Sequence, residues 1–369
     1  MDPQAQFCPN VACPARGQTG AGNIQIHSQR EQRYRCTRCG KTFSESKGTA
    51  LYGLKKEAEL FVTVTTLLAH GCPVQAVVAA YGLDERTVRQ WLLRAGGQCQ
   101  RVHEATVGKS KLDLEQVQAD EIKVKTQGGT VWMAMALMVR TRLWLGGVIS
   151  PKRDMALIVA LVSYIRAIAL CRPLLLAVDG LVSYVGAFQA AFRSPLPTGK
   201  RGRPTLVPWP GVTIVQVVKK RTKAAFSVQR RIVQGTSTAV SDLLTVSQGA
   251  GVINTAFIER LNATFRQRLA CLARRSRALP RSPDTLSAAM FLLGTVYNFC
   301  TDHQSLRLPL LIGSKGCTHW VARTPALAAG LTDHRWSMLE LLTFKVPPPP
   351  FVPPKRRGRP PKSILAHPV

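Results

Sequence analysis

The sequence predicts a multidomain α/β protein: a small cysteine-rich module, a helical module, a mixed sheet flanked by helices, and a disordered basic tail. Three observations carry that expectation. Four of the ten cysteines fall before residue 40 and the other six are scattered. Residues 114–300 alternate strand-like and helix-like apolar runs. From Lys345 the chain turns into KVPPPPFVPPKRRGRPPK, which can neither continue as helix nor pair as sheet. At 369 residues, with 46% hydrophobic and 19% charged residues, the chain is long enough for two or three globular domains.

Charge narrows the partner. Fifty Lys and Arg against twenty Asp and Glu give a formal net charge of +30, and so self-repelling a compact chain calls for a polyanion, nucleic acid first. The N-terminus lacks the apolar core of a signal peptide. The longest apolar region, residues 155–178, is interrupted by Arg166, Arg172 and Pro173 and reads as a buried helix followed by a strand. No membrane partner is expected, and the location expected is cytoplasmic. Ten cysteines there do not form a disulfide framework.

Residues 1–48 carry Cys8-x4-Cys13 and Cys36-x2-Cys39, two close pairs separated by 22 residues. Each pair suits a tight knuckle of a zinc ribbon, the four thiolates making a tetrahedron around Zn2+, with Tyr34 and Phe43 packed over the metal. A module this small has little core, so the metal supplies much of its folding energy. The wide first pair leaves His27 as an alternative ligand.

Residues 49–105 have helical spacing with one break. Val74, Val77 and Val78 open a short helix, Tyr81, Gly82 and Leu83 turn the chain, and Asp84 or Glu85 starts the next helix. That second helix turns Val88, Trp91 and Leu92 inward and Arg86, Arg89 and Gln90 outward, a helix-turn-helix pattern that a plain helical bundle would share. Arg86, Arg89 and Gln90 are the expected contacts to bases or phosphates, with the division between them open.

Residues 106–300 carry the chemistry. Strands are expected at 117–124, 131–139 and 142–149, a helix capped by Asp154 over 154–170, a strand at 174–178, a helix over 183–192 and a fifth strand at 212–218. Three antiparallel strands, then helix, strand, helix and strand, is the order of an RNase H-like domain, in which the first strand is central and the fourth lies beside it. Asp120 and Asp179 then become neighbours. An acid inside an apolar strand needs a partner, and a divalent cation is the natural one. Glu259 on the following helix offers a third carboxylate and shares a face with Asn262 and Arg266 at i+3 and i+7. Glu121 is expected on the opposite face of its strand from Asp120, a one-residue register shift exchanging them.

Together CPNVAC, YRCTRCGKTF, Asp120 in QADEI, Asp179 in LAVDG and INTAFIERLNATFRQRLACLARRSRAL resemble a DDE transposase, most closely those of the insertion-sequence-one family. The resemblance runs from residue 8 to about residue 342. It implies DNA strand cleavage and strand transfer, with Asp120, Asp179 and Glu259 holding two Mg2+ (or Mn2+) ions and Asn262 and Arg266 positioning the phosphodiester. It also implies double-stranded DNA as partner, at element ends and target, a homodimer or higher assembly on DNA, and association with the nucleoid. A loop insertion at 194–211, a further insertion at 223–251 and the tail depart from the pattern without removing a catalytic position. The alternatives are a non-catalytic DNA-binding regulator or inactive relic, and an RNase H-like nuclease without joining activity.

Basic clusters complete the expected DNA surface: Lys219, Lys220 and Arg221 after the fifth strand, and Arg260, Arg266, Arg268, Arg274, Arg275, Arg277 and Arg281, a run from Arg260 to Arg281 with no intervening acid. Arg-Gly-Arg-Pro occurs at 201–204 and 357–360. The second copy resembles an AT-hook, with Gly358 letting the backbone lie in a narrow minor groove and Arg357 and Arg359 entering it. The remaining cysteines and Trp132, Trp144 and Trp336 are expected in the core, and residues 301–344 are expected to pack back on the sheet domain.

Overall fold

The computed structural model describes residues 1–196, 202–221, 226–273, 279–312 and 317–353, together with Gly199. Arg274, Arg275, Arg277, Arg357, Gly358 and Arg359 lie outside the described residues, as does the side chain of Arg221. The chain forms two compact units, residues 54–344 and residues 1–53 with the start of the tail from Lys345.

The smaller unit is a three-stranded antiparallel sheet of β1 (Ile24–Ser28), β2 (Arg33–Cys36) and β3 (Thr42–Ser44). Its core is Tyr34 stacked on Phe43 at 5.8 Å, beside Ile24 and the cysteines. Residues 345–353, expected in the disordered tail, are held in this unit. Prolines donate no N–H, and their carbonyls need donors; Arg16 supplies them to Pro349 at 2.7 Å and Pro350 at 2.8 Å.

The larger unit opens with α1 (Ala58–Ala69), α2 (Val74–Tyr81) and α3 (Glu85–Thr106). The sheet strands β4 (Gln116–Thr126), β5 (Gly129–Met138) and β6 (Trp144–Ser150) lead to α4 (Met155–Ile168), β7 (Leu174–Asp179) and α5 (Val182–Ala191). A small hairpin of β8 (Arg193–Pro195) and β9 (Leu206–Pro208) precedes β10 (Val212–Arg221), β11 (Phe226–Gln234), α6 (Ser237–Gln248), α7 (Ala256–Arg268) and α8 (Pro283–Phe299). A hairpin of β12 (Leu308–Ile312) and β13 (Cys317–Val321) and the short helices α9 (Pro325–Ala328) and α10 (Met338–Thr343) complete it.

Six strands form one mixed sheet in the order β11-β10-β7-β4-β5-β6, with β4, β7 and β10 parallel and the remaining pairs antiparallel. The expected strand at 142–149 begins two residues later, because Arg142 sits in the turn at φ 57°. Residues 223–251, expected as an insertion, supply the edge strand β11 and helix α6. Val240, Leu243 and Leu244 of α6 bury against Leu175, Ala177 and Val215, so the segment belongs to the sheet's core.

The helices at 49–105 belong to the same unit as the sheet. α3 lies along α8 with backbones close enough that a β-carbon at Gly96 would sit 2.6 Å from the Ala288 Cα, and Thr295 Oγ1 donates to the Cys99 carbonyl at 3.3 Å. Trp144 and Trp336 are buried as expected, whereas Trp132 is half-buried beneath the Arg153 guanidinium. Of the scattered cysteines, Cys99 is buried, Cys72, Cys271 and Cys300 are half-buried, and Cys171 is exposed. Among the described residues no helix is long and apolar enough to cross a membrane.

Candidate metal centres

Strand β4 builds the first centre. Its ladder with β7 runs only from Gln116↔Leu175 to Gln118↔Ala177, while β7 stays paired with β10 as far as Asp179↔Val217. The two strands therefore part beyond Gln118, and Asp120 and Asp179 flank the gap. Pleat alternation sends Gln116, Gln118 and Asp120 to one face. There Gln116 Oε1 accepts from Ser247 Oγ of α6 at 2.6 Å. Gln118 Oε1 accepts from the backbone N–H groups of Phe257 and Ile258 at 3.1 and 3.0 Å, satisfying open donors in the first turn of α7. Asp120 Oδ2 accepts from Asn262 Nδ2 of the same helix at 2.7 Å. Gln116 and Gln118 were not among the expected site residues, although two amides and an acid spaced two apart in QVQADEI are the signal.

Glu121, expected on the face opposite Asp120, has a fully buried side chain with Oε2 accepting from Arg153 Nη2 at 2.8 Å and Nε at 3.1 Å. One oxygen from each of Asp120, Glu121 and Asp179 lies within 4.8 Å of the others, a group that could hold a metal ion. Glu121 Oε1 is buried without a close hydrogen-bond partner among the described residues, and burial and then the Glu121 charge push the nearby Tyr184 hydroxyl up. Burial raises the Asp120 carboxyl to about 6, the Glu121 N–H opposing the rise and the Glu121, Asp179 and Glu259 carboxylates adding to it.

Glu259 lines the same cleft of about 580 Å³ as Asp120 and Asp179 but stands outside the three-oxygen group. Its Oε1 accepts from Thr255 Oγ1 at 2.6 Å and pairs with Lys219. Asn262, expected to reach a phosphodiester, is 2% exposed and spends its amide N–H on Asp120. Arg266, one turn farther along α7, is half-buried and does not line the cleft. Lys220 is exposed. Arg153, which sequence reasoning missed, bridges Glu121 and Asp179, the latter at 3.3 Å, from the residue before the Asp154 cap of α4.

The second centre is the cysteine group. The sulfurs of Cys8, Cys13, Cys36 and Cys39 lie within 4.8 Å of one another and could hold a metal ion; the Cys8–Cys39 and Cys13–Cys36 pairs are 3.7 and 3.8 Å apart. The knuckles close through Cys13 N–H to the Asn10 carbonyl at 2.9 Å and Gly40 N–H to the Cys36 carbonyl at 2.8 Å. Burial pushes the Cys8 and Cys13 thiols up. Burial also works against Cys39, but hydrogen bonds from Asn10, the Lys41 backbone and its cysteine neighbours bring it down to about 7.

A third feature is the α2–α3 corner. Gly82 closes α2 at φ 59°, a left-handed position suited to glycine, and Asp84 caps α3 by accepting from the Arg86 and Thr87 N–H groups. Trp91 packs edge-on to Phe61 at 5.3 Å, with Val88 buried beside it. Arg86 and Gln90 are exposed, and Arg89 is engaged by Glu85 at 2.5 Å. Compared with known proteins, the chain matches no family model and no curated sequence.

Proposed function

We propose that this protein is a DDE-type DNA transposase, an enzyme that binds the ends of an insertion sequence and cuts and joins DNA strands with divalent cations. The observation that carries this reading is the convergence of Asp120, Glu121 and Asp179 where β4 and β7 part, beside a cleft that Asp120, Asp179 and Glu259 line. The sheet order supports an RNase H-like core: the first strand central, the fourth beside it and the fifth beyond. Bound Mg2+ or Mn2+ would activate the attacking oxygen and stabilise the leaving one in an in-line displacement.

Each residue then has a part. Asp120 and Asp179 offer oxygens to the cation site, with Asn262 fixing the Asp120 carboxylate. Arg153 neutralises buried Glu121. Lys219 holds Glu259; on release, Glu259 completes the carboxylate set and Lys219 is free to meet a phosphate. For the cysteine group we infer Zn2+. Four sulfurs on arms of about 2.3 Å form a tetrahedron with edges of about 3.8 Å, and the two close pairs measure 3.7 and 3.8 Å. The α2–α3 corner serves as a helix-turn-helix with Arg86 and Gln90 outward, and the charge of +30 supports a DNA partner. Bringing two ends together calls for at least a homodimer on DNA, in the cytoplasm at the nucleoid.

The test is Mg2+-dependent cleavage and joining of labelled duplexes taken from the DNA on either side of the coding sequence, where element ends with inverted repeats are expected, comparing the protein with Asp179→Asn. Nicking that exposes a 3'-hydroxyl and joins it to target, lost in the variant while DNA binding persists, is expected. One observation favours a second reading, a DNA-binding regulator: Arg153 and Lys219 already compensate three of the four acids in the cleft region. Tight binding to the repeats without strand breakage would select it.

A further inference from the structure

A second cavity, of about 230 Å³, shares no lining residue with the acidic cleft. Helix α7 contributes Arg260, Thr264 and Arg268 at i, i+4 and i+8, one stripe down its length. The turn between β5 and β6 adds Arg142, and the end of α8 with the residues after it adds Tyr297 and His303. Three arginines thus line one small cavity, brought together from segments that lie far apart in the chain.

The surroundings leave that charge uncompensated. The one acid lining the cavity is Asp302, which is already paired with Arg335 at 2.9 Å. Arg260 is exposed and has no ion-pair partner among the described residues. Arg268 Nη1 is buried without a hydrogen-bond partner among the described residues. Arg142 is held in a left-handed backbone conformation at φ 57°, which disfavours non-glycine residues. Its guanidinium donates to the Val139 carbonyl and lies 4.0 Å over the Phe257 ring. Burial, and then the Arg142 and Arg260 charges, hold the His303 imidazole below its ordinary range, so it stays a neutral donor or acceptor. Mutually repelling, partly desolvated cations with spare N–H donors make a site for an anion whose oxygens accept several hydrogen bonds.

We propose that this pocket is a subsite for one phosphodiester group of a nucleic-acid backbone, held by Arg142, Arg260 and Arg268. A polymeric rather than a free phosphate is favoured by the position of Arg260 at the exposed rim, next in sequence to Glu259, which lines the acidic cleft. One helix therefore presents carboxylate chemistry to one cavity and phosphate-binding groups to the other, so an extended strand can engage both. The assignment rests on the nucleic-acid part of the function proposed above and is independent of its catalytic part.

Fluorescence anisotropy of a labelled duplex of arbitrary sequence, titrated with the full-length protein at several salt concentrations, tests it. Arg260→Ala should weaken binding about threefold to tenfold and reduce the salt slope by about one. Arg260→Lys should keep the slope, and Arg172→Ala, an exposed arginine paired with Asp113, should leave both unchanged. Equal melting temperatures would establish that Arg260→Ala is folded. A wild-type slope in folded Arg260→Ala would refute the pocket while leaving DNA binding intact. Failure of the wild type to bind duplex at all would overturn the pocket and the nucleic-acid reading together. Calorimetric titration with inorganic phosphate separates the remaining source: phosphate binding lost in Arg260→Ala, with an unchanged DNA slope, would make this a small-anion site and overturn the backbone assignment.

Discussion

Asn262 Nδ2 donates to Asp120 Oδ2 at 2.7 Å, joining a buried amide on α7 to a carboxylate on the central strand β4. The bond does two things at once. It fixes the orientation of one oxygen of the candidate cation site, and with the Gln118 contacts to Phe257 and Ile258 it sets the position of α7 on the sheet. The helix that carries Glu259 is thus held by the strand that carries Asp120.

Asn262→Ala should therefore destabilise the protein by roughly 1–3 kcal/mol, since it leaves a largely buried carboxylate oxygen without its donor. Asn262→Asp should be worse in metal-free buffer, because two carboxylates then share the position, and should recover part of the loss when Mg2+ or Mn2+ is added. Urea denaturation with and without the cation reads both effects. Unchanged stability in Asn262→Ala would show that α7 is held by packing and the Gln118 contacts.

Stability of the metal-free protein should fall as pH rises from about 4 to about 6 at this site. Asp120 is raised to about 6 in the fold, whereas an unfolded aspartate titrates near 3.9. Between those values the folded state binds the extra proton, so each step up in pH favours the unfolded chain until both forms are ionised. Asp120→Asn removes that proton linkage and should raise the unfolding free energy at pH 8 by roughly 1–3 kcal/mol relative to wild type. Thermal melts from pH 4 to 8 in a chelator check the sign, and a larger cation-induced stabilisation in wild type than in Asp120→Asn would tie it to the cleft.

Chelation should unfold the smaller unit, whose core consists of little besides the four cysteines, Tyr34, Phe43, Ile24 and Ala15. One equivalent of bound Zn2+ is expected in protein purified without chelator. Cys8 and Cys13 have raised thiols and must lose protons to bind metal, so affinity should climb with pH. Metal analysis together with near-ultraviolet dichroism before and after chelation measures this. Cys13→Ser should reproduce the chelated state, while Cys171→Ser, at an exposed position, should not.

Gly96→Ala should destabilise the larger unit by about 1–3 kcal/mol, despite alanine's better helix propensity. The added methyl would meet the Ala288 backbone, including its Cα at 2.6 Å, and backbone in the middle of α8 cannot rotate away as a side chain could. Gly97→Ala, one residue on, meets nothing within 4 Å and serves as the control. Denaturant midpoints for the two variants should differ accordingly.

Much of this protein was legible in the chain alone, where local chemistry decides the outcome. The spacing of Cys8, Cys13, Cys36 and Cys39 marks one cluster because short knuckles leave four thiols few other arrangements. Gly82 and Asp84 mark the α2–α3 corner because a left-handed cap and an N-cap are single-residue requirements. An aspartate in each of two apolar strands, Asp120 and Asp179, announces a shared site because neither can be buried without a partner. What depends on distance through space was not legible. The approach of Glu121 to Asp120 and Asp179 is set in space, which a period-two pattern does not encode. The pairing of Arg153 with Glu121 and Asp179, and of Lys219 with Glu259, depends on how α4, α7 and β10 meet the sheet. Residues 223–251 read as an insertion, yet β11 and α6 complete the core, because an edge strand and its covering helix are recognised only by the sheet they extend. Sequence determined which groups carry charge and which segments bury themselves; the tertiary structure decided which of those groups face one another, since long-range packing, not local preference, sets the distances over which carboxylates and cations act.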